Sequence, residues 1–129
     1  MPTPLPRSKV KKHQTWNAES VFASPEQFDA EVQNIRASLP AVKQYQGRRG
    51  ENVDTFLAAL DAIDKLDQRA AKVRVNATMA SAVDANDQAV AGMNDTASSA
   101  LAQVGAAVSF VEPELLSVGE MRLRCWKSM

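Results

Sequence analysis

The sequence predicts an all-α fold, with an N-terminal arm, a kinked helix, a long antiparallel helical hairpin and a short C-terminal helix. Three observations lead to this prediction. Alanine is abundant, whereas aromatic residues make up only 5% of the 129 residues, and alanine has the highest intrinsic helix propensity. Apolar residues recur at helical spacing through two long stretches. Prolines and capping residues mark the positions where helices begin.

Residues 1–23 are predicted to form an extended arm, and residues 24–129 a single helical domain. The arm starts with a proline-broken run, and proline lacks the backbone N–H that a helix needs. Basic side chains follow: Arg7, Lys9, Lys11, Lys12 and His13. Since the whole chain carries no net charge, this short cluster does not indicate a nucleic-acid-binding protein. Trp16 is expected to pack where the chain enters the first helix.

The first helix is predicted to start at the Ser-Pro-Glu-Gln stretch of residues 24–27. Ser24 suits the N-cap, proline suits the first helical position, and Gln27 can close a capping box. Apolar residues then follow at helical spacing: Phe28, Val32, Ile35, Leu39 and Val42. Pro40 predicts a kink or a short break. The Gly-Arg-Arg-Gly stretch of residues 47–50 is predicted to end the helix through a left-handed glycine.

Two long helices are predicted on either side of the polar turn at residues 83–88, because each side has one narrow apolar seam. The first seam is Phe56, Leu60, Ile63, Leu66, Ala70, Val73, Ala77 and Ala80; the second is Val90, Met93, Ala97, Ala100, Val104, Ala107 and Val111. A short connection between long helices predicts antiparallel neighbours. Folding at Ala85 places Val73 opposite Ala97, so that large residues meet small ones. Leu60 is then expected near Phe110.

A short C-terminal helix is predicted to start at the Glu-Pro-Glu stretch of residues 112–114. Proline is tolerated at a helix start, and acidic residues suit the positive end of the helix dipole. Its apolar residues are Leu115, Leu116, Val118, Met121, Leu123 and Trp126. Gly119 argues against one continuous helix.

No catalytic, cofactor-binding or metal-binding residue is predicted in this chain. One histidine and one cysteine are too few for a zinc site of nitrogen and sulfur ligands, and the H-E-x-x-H pattern is absent. A catalytic arrangement would need His13, which lies in the arm. Cys125 is expected to be an inert thiol without an intrachain disulfide partner. Residues 47–50 lack the spacing of a phosphate-binding loop.

The turn between the long helices allows two interpretations. Asp84, Asn86 and Asp87 are spaced like the start of a calcium loop. However, the sixth loop position would be Ala89 instead of glycine, and the twelfth would be Asp95 instead of glutamate. Helix caps are therefore the favoured interpretation of these residues.

Three acidic residues of the first long helix also allow two interpretations. Asp61, Asp64 and Asp67 lie near one another at helical spacing, and paired carboxylates can perform acid–base chemistry. Because Lys65 and Arg69 flank them, a solvated, charged helix face is favoured.

The sequence favours a cytoplasmic protein with neither nucleic acid nor a membrane as its partner. The N-terminal run has no apolar core like that of a signal peptide. No stretch is expected to be both long enough and apolar enough to span a membrane.

Several short motifs follow one another in order: Thr-Trp-Asn at 15–17, Phe-Ala-Ser-Pro-Glu at 22–26, Asp-Ala-Asn-Asp at 84–87, and Ser-Phe at 109–110 with Glu-Leu-Leu at 114–116. Their order and spacing resemble the opening of oligoendopeptidase F-like zinc metallopeptidases, from about Arg7 to Val118. One departure is the Val-Asn-Ala stretch at 75–77, where the family often carries Tyr-Ala.

The resemblance implies the N-terminal helical lobe of a zinc peptidase that cleaves short peptides, in which the lobe helps to wall a deep cleft. In that family the zinc motif and its glutamate ligand belong to a later domain, so no catalytic residue is implied here. The chain is therefore predicted to be a truncated or split product, inactive alone, with no cofactor of its own. Its partner would be the catalytic domain, in cis or in trans.

Two functional hypotheses follow. A peptidase lobe predicts an apolar face around Leu115, Leu116, Met121 and Trp126, where the rest of the enzyme docks. The alternative is a free-standing helical-hairpin interaction module, which binds a partner helix or dimerises through its alanine-rich stripe.

Overall fold

The structure is a computed structural model, which describes residue 3, residues 5–48 and residues 50–128. Pro2 and Pro4 of the arm, and Arg49 of the predicted helix end, lie outside the described residues. Within the described residues, three short 3-10 turns precede five α-helices, and no strand occurs. The helices are α1 (Pro25–Lys43), α2 (Val53–Val83), α3 (Gln88–Val108), α4 (Val111–Val118) and α5 (Glu120–Lys127). The predicted all-α class is confirmed.

The N-terminal arm contains turns where the sequence predicts extended chain. Its 3-10 turns are Arg7–Lys9, Lys12–Gln14 and Ala18–Ser20. Arg7 Nη2 donates to the backbone oxygen of Trp16 at 2.9 Å, and the Arg7 guanidinium carbon lies 5.7 Å from the centre of the Trp16 ring. This cation–π contact and hydrogen bond fold the arm back on itself.

The first helix, α1, begins as the sequence predicts. Ser24 Oγ accepts a hydrogen bond from the backbone N–H of Gln27 at 3.3 Å, and Gln27 Oε1 accepts one from the backbone N–H of Ala23 at 3.0 Å. The helix continues through Pro40 to Lys43 without the predicted break. Pro40 is tolerated in the last turn, since only one hydrogen bond is lost there. In the turn that follows, Gly47 has the expected left-handed conformation, with φ 80°.

The helices α2 and α3 form the largest helix pair, and α1 packs against both. Residues 84–87 connect the pair. Asn52 Oδ1 accepts from the backbone N–H of Thr55 at 2.8 Å and caps α2, while Asp87 Oδ1 accepts from that of Ala89 at 2.9 Å and caps α3. Capping satisfies backbone donors that the first turn of a helix leaves free.

The core lies among these three helices. Its buried residues are Phe28, Val32, Ile35 and Val42 from α1, then Ile63, Leu66, Ala70, Val73 and Ala77 from α2, then Ala97, Ala100 and Val104 from α3, with Phe110 beyond it. The prediction for Leu60 is wrong, because its side chain is 37% exposed and Ala59 is fully buried instead. Ala59 lies three residues after Phe56 and four before Ile63, so it continues the buried line that Leu60 leaves.

A bidentate ion pair joins α1 to α2 beside this core. Arg69 Nε donates to Glu31 Oε1 at 2.7 Å, Arg69 Nη2 donates to Glu31 Oε2 at 3.2 Å, and Arg69 Nη1 donates to Ser38 Oγ at 3.4 Å. The hydrogen bond to Glu31 raises the pKa of Arg69 above its ordinary value. The planar guanidinium thus fixes α1 against α2 at three points.

One stretch corrects an expectation from the sequence. Residues Gln88–Val118 are long and apolar enough to cross a membrane by length and composition alone. An 18-residue window within this stretch has a mean hydropathy of 1.2. This stretch includes α3 and α4. Core helices of soluble proteins pass the same test, so the feature does not assign a location.

Replacing Ala100 by leucine is expected to lower the free energy of unfolding by about 1–3 kcal/mol, because the side chain is 1% exposed within the buried core cluster and extra methylene groups overpack such a site. Ala102 lies on the exposed side of α3, so Ala102→Leu should change stability by less than about 0.5 kcal/mol. Urea unfolding of both variants measures the difference. Equal effects would show that the α2–α3 contact is misplaced.

Replacing Arg69 by lysine is expected to cost roughly 1 kcal/mol, because an ammonium group cannot donate to both Glu31 oxygens and to Ser38 together. Arg74 has no ion pair among the described residues, so Arg74→Lys is the matched control. Thermal unfolding at low and high salt measures both variants. A loss that is no larger for Arg69→Lys than for the control would contradict a role for the bidentate pair.

A candidate interaction surface

No group of three or more metal-binding side chains comes together anywhere in the part of the chain that the structure describes. His13 is exposed in the second 3-10 turn, and Cys125 is exposed on α5. A zinc ion needs several converging nitrogen, sulfur or carboxylate ligands. The described residues therefore do not fit the zinc ion that the resembled family uses.

The acidic side chains of the turn between α2 and α3 bind nearby backbone N–H groups. Asp84 Oδ1 accepts a hydrogen bond from the backbone N–H of Asn86 at 3.3 Å, and Asp87 Oδ1 accepts from that of Ala89 at 2.9 Å. These bonds are the ones that capping and turn residues make. The helix-cap interpretation is confirmed for Asp87, whereas the side chain of Asp84 stabilises the turn itself.

The acidic face of α2 is exposed and partly paired. Lys65 Nζ lies 2.7 Å from Asp61 Oδ2, and Gln68 Nε2 donates to Asp64 Oδ2 at 3.1 Å. Partial burial, with the nearby charge of Asp64, raises the pKa of Asp67 above its ordinary value. Because all three aspartates are exposed, they form the charged helix face that the sequence favours.

The C-terminal helices are attached to the connection between α1 and α2. The Glu114 carboxylate on α4 accepts a hydrogen bond from the backbone N–H of Gly47. Arg122 Nη1 on α5 donates to the backbone oxygen of Gly50 at 2.9 Å. Phe110, directly before α4, is 8% exposed. These contacts hold both short helices against the N-terminal end of α2.

A bend separates α4 from α5. Gly119 has φ 82°, a left-handed value that glycine adopts without steric cost. Beyond the bend, the Trp126 ring packs against Phe56 of α2, with ring centroids 5.4 Å apart. Trp126 is half-buried, so it anchors α5 inward. It does not belong to the outward apolar face that the sequence predicts.

Three other apolar side chains of these helices face solvent. Leu115, Leu116 and Met121 are 36%, 76% and 87% exposed, and we call them the C-terminal apolar surface. All three lie in the short C-terminal segment, and exposed apolar area concentrated in one region is typical of interaction sites. The inward anchoring of Trp126 keeps α5 in place and leaves Met121 on the outside. The C-terminal apolar surface is therefore the candidate site for contact with another protein part.

Comparison with known proteins finds related oligopeptidases. The chain is 31% identical over 118 residues to oligopeptidase PepF of Bacillus subtilis (strain 168), an alignment that covers 92% of this chain and 18% of PepF. It is 26% identical over 114 residues to group B oligopeptidase PepB of Streptococcus agalactiae serotype III (strain NEM316), covering 88% of this chain and 19% of PepB. No family model and no solved structure matches.

The chain thus spans less than a fifth of the length of the curated relatives that it matches. Both relatives are bacterial oligopeptidases by name. The alignment with PepF includes nearly all of this chain. It therefore points to the same family as the order of the short motifs in the sequence does. The chain belongs, as a part-length relative, to the oligoendopeptidase F-like family.

Proposed function

We propose that this chain is the N-terminal helical lobe of an oligoendopeptidase F-like zinc peptidase, and that it helps to wall the substrate cleft. The observation that supports this most is the match of 92% of the chain to only 18% of PepF. In the proposed enzyme, zinc and the catalytic residues belong to a separate part, linked in cis or supplied in trans. The substrates would be short peptides.

The stiffness of the helical hairpin suits the role of a wall. The 31 residues of α2 correspond to about 46 Å at 1.5 Å per residue. The ion pair between Arg69 and Glu31 and the buried core fix α1 along this rod. A stiff wall excludes folded polypeptides by size and admits flexible short peptides.

The C-terminal apolar surface suits the role of a docking face for the catalytic part. Burying a leucine or methionine side chain stabilises a contact by about 1.5–3 kcal/mol. Leu116 and Met121 are the most exposed side chains of the three and have the most area to bury. We propose a cytoplasmic location for this enzyme, with neither nucleic acid nor a membrane as its partner.

A second candidate function is supported by another exposed stripe. Val75, Met79 and Val83 are spaced by four residues on α2 and are 59%, 42% and 41% exposed. Such a stripe suits contact with another helix, as in a free-standing interaction module. If the chain is such a module, it is expected to form a defined oligomer through this stripe. The substitution Met79→Ser should then dissociate the oligomer. Analytical ultracentrifugation showing a monomer at every concentration would exclude self-association by this stripe.

A chimera in which this chain replaces the matching segment of PepF is expected to hydrolyse short peptides, whereas the chain alone should not. Fluorogenic peptides of increasing length, compared with a folded protein, measure both activity and size exclusion. Hydrolysis by the isolated chain that a metal chelator abolishes would contradict the proposal. A chimera that is folded and loaded with zinc but does not hydrolyse peptides would also contradict the proposal.

The docking face is tested by Leu116→Ser and Met121→Ser. In the isolated chain each should change stability by less than about 0.5 kcal/mol, because both positions are exposed. In the chimera each is expected to cost about 1.5–3 kcal/mol. Leu5, which is 65% exposed in the arm, provides the control substitution Leu5→Ser. Equal stability of all three chimeric variants would place the docking face elsewhere.

A further inference from the structure

Beside its buried line of side chains, α2 carries a second line that faces solvent. Asp67 follows the buried Leu66, and Arg74 follows the buried Val73, so the second line lies about 100° around the helix from the core. Its steps alternate between three and four residues, which is the spacing of a coiled-coil seam. Arg69, which pairs with α1, lies about 140° around the helix from Arg74. The helix α1 therefore leaves this second line uncovered, and we call it the outer seam of α2.

The N-terminal half of the outer seam is apolar and acidic. It consists of Leu57, Leu60, Asp64 and Asp67. The two leucines are 55% and 37% exposed, and neither aspartate forms an ion pair among the described residues. A surface groove of about 430 Å³ lies along Leu60, Asp64 and Asp67. This half therefore offers both apolar surface and negative charge that no cation neutralises.

The C-terminal half of the outer seam combines short side chains with one positive charge. It consists of Ala71, Arg74, Thr78 and Ser81. A surface groove of about 590 Å³ lies between this half and α3, where the half-buried Leu101 adds apolar lining. Because the neighbours of Arg74 in the seam are short, the groove has room for larger side chains from a partner.

The two halves match in size when α2 meets a second α2 that runs in the opposite direction. With a two-fold axis at position 69, Leu57 lies opposite Ser81 of the second copy, and Leu60 lies opposite Thr78. A two-fold axis makes each of these pairs occur twice. Large residues thus meet small ones, which allows close packing without voids. The groove beside Thr78 and Ser81 is the space that the two leucines would fill.

The same axis brings opposite charges together. Asp64 lies opposite Arg74 of the second copy, and Asp67 lies opposite Ala71, three residues from that Arg74. Each guanidinium then has two carboxylates within reach, and arginine is well suited to pairing with carboxylates. In the single chain, partial burial and the nearby charge of Asp64 raise the pKa of Asp67, as is typical of carboxylates that lack a cationic partner.

We infer that two copies of this chain form an antiparallel dimer through the outer seam, with the two-fold axis at position 69. All four pairs of seam positions satisfy this one axis, which lies near the middle of α2 (Val53–Val83). The two helices therefore overlap along almost their whole length, roughly 40 Å at 1.5 Å per residue. This dimer goes beyond the proposed peptidase role and uses neither the C-terminal apolar surface nor the stripe of Val75, Met79 and Val83. Its absence would leave the peptidase role standing.

Analytical ultracentrifugation of the chain at concentrations up to about 1 mM is expected to show a monomer–dimer equilibrium. Arg74→Glu and Asp64→Arg should each weaken the dimer at least about tenfold, because each places like charges opposite one another at both ends of the interface. Lys11→Glu changes the net charge by the same amount as Arg74→Glu, but at an exposed position of the arm. It should dimerise normally, and so should Met79→Ser.

Mixing the two charge-reversed variants provides the sharpest test. A mixed dimer of Arg74→Glu with Asp64→Arg places opposite charges at both sites, whereas the dimer of either variant alone places like charges there. The equimolar mixture should therefore associate at a concentration at which each variant alone is monomeric, while circular dichroism shows both to be folded. Three outcomes would overturn the inference: a monomer at every concentration, no association of the mixture, or a dimer that Met79→Ser dissociates and the charge reversals do not.

Discussion

The close packing of α3 against α2 is the constraint on which the rest of this structure depends. Ala97 and Ala100 of α3 are each 1% exposed and belong to the same buried cluster as Leu66 and Val73 of α2. Because alanine has a short side chain, the helices approach closely while the larger residues fill the space between them. This pair provides the surface that α1 covers, the closed end that the arm meets, and the free end of α2 to which α4 and α5 attach.

Local patterns predicted the elements that depend on local chemistry. The capping residues Ser24 and Asp87 placed two helix starts correctly, because a cap acts within one turn of chain. Features that depend on distant contacts were missed: the bent arm needs the bond from Arg7 to Trp16 nine residues away, and the inward position of Trp126 needs the ring of Phe56.

Burial is unequal along the chain, and this inequality bears on where a partner attaches. No residue within α4 or α5 is buried, whereas α2 contains eight buried residues. Contacts of Glu114, Arg122 and Trp126 attach the two short helices to the rest of the fold. Elements with few buried contacts open at low free-energy cost and gain most from a partner. The C-terminal apolar surface therefore lies on the part of the fold that docking would stabilise most.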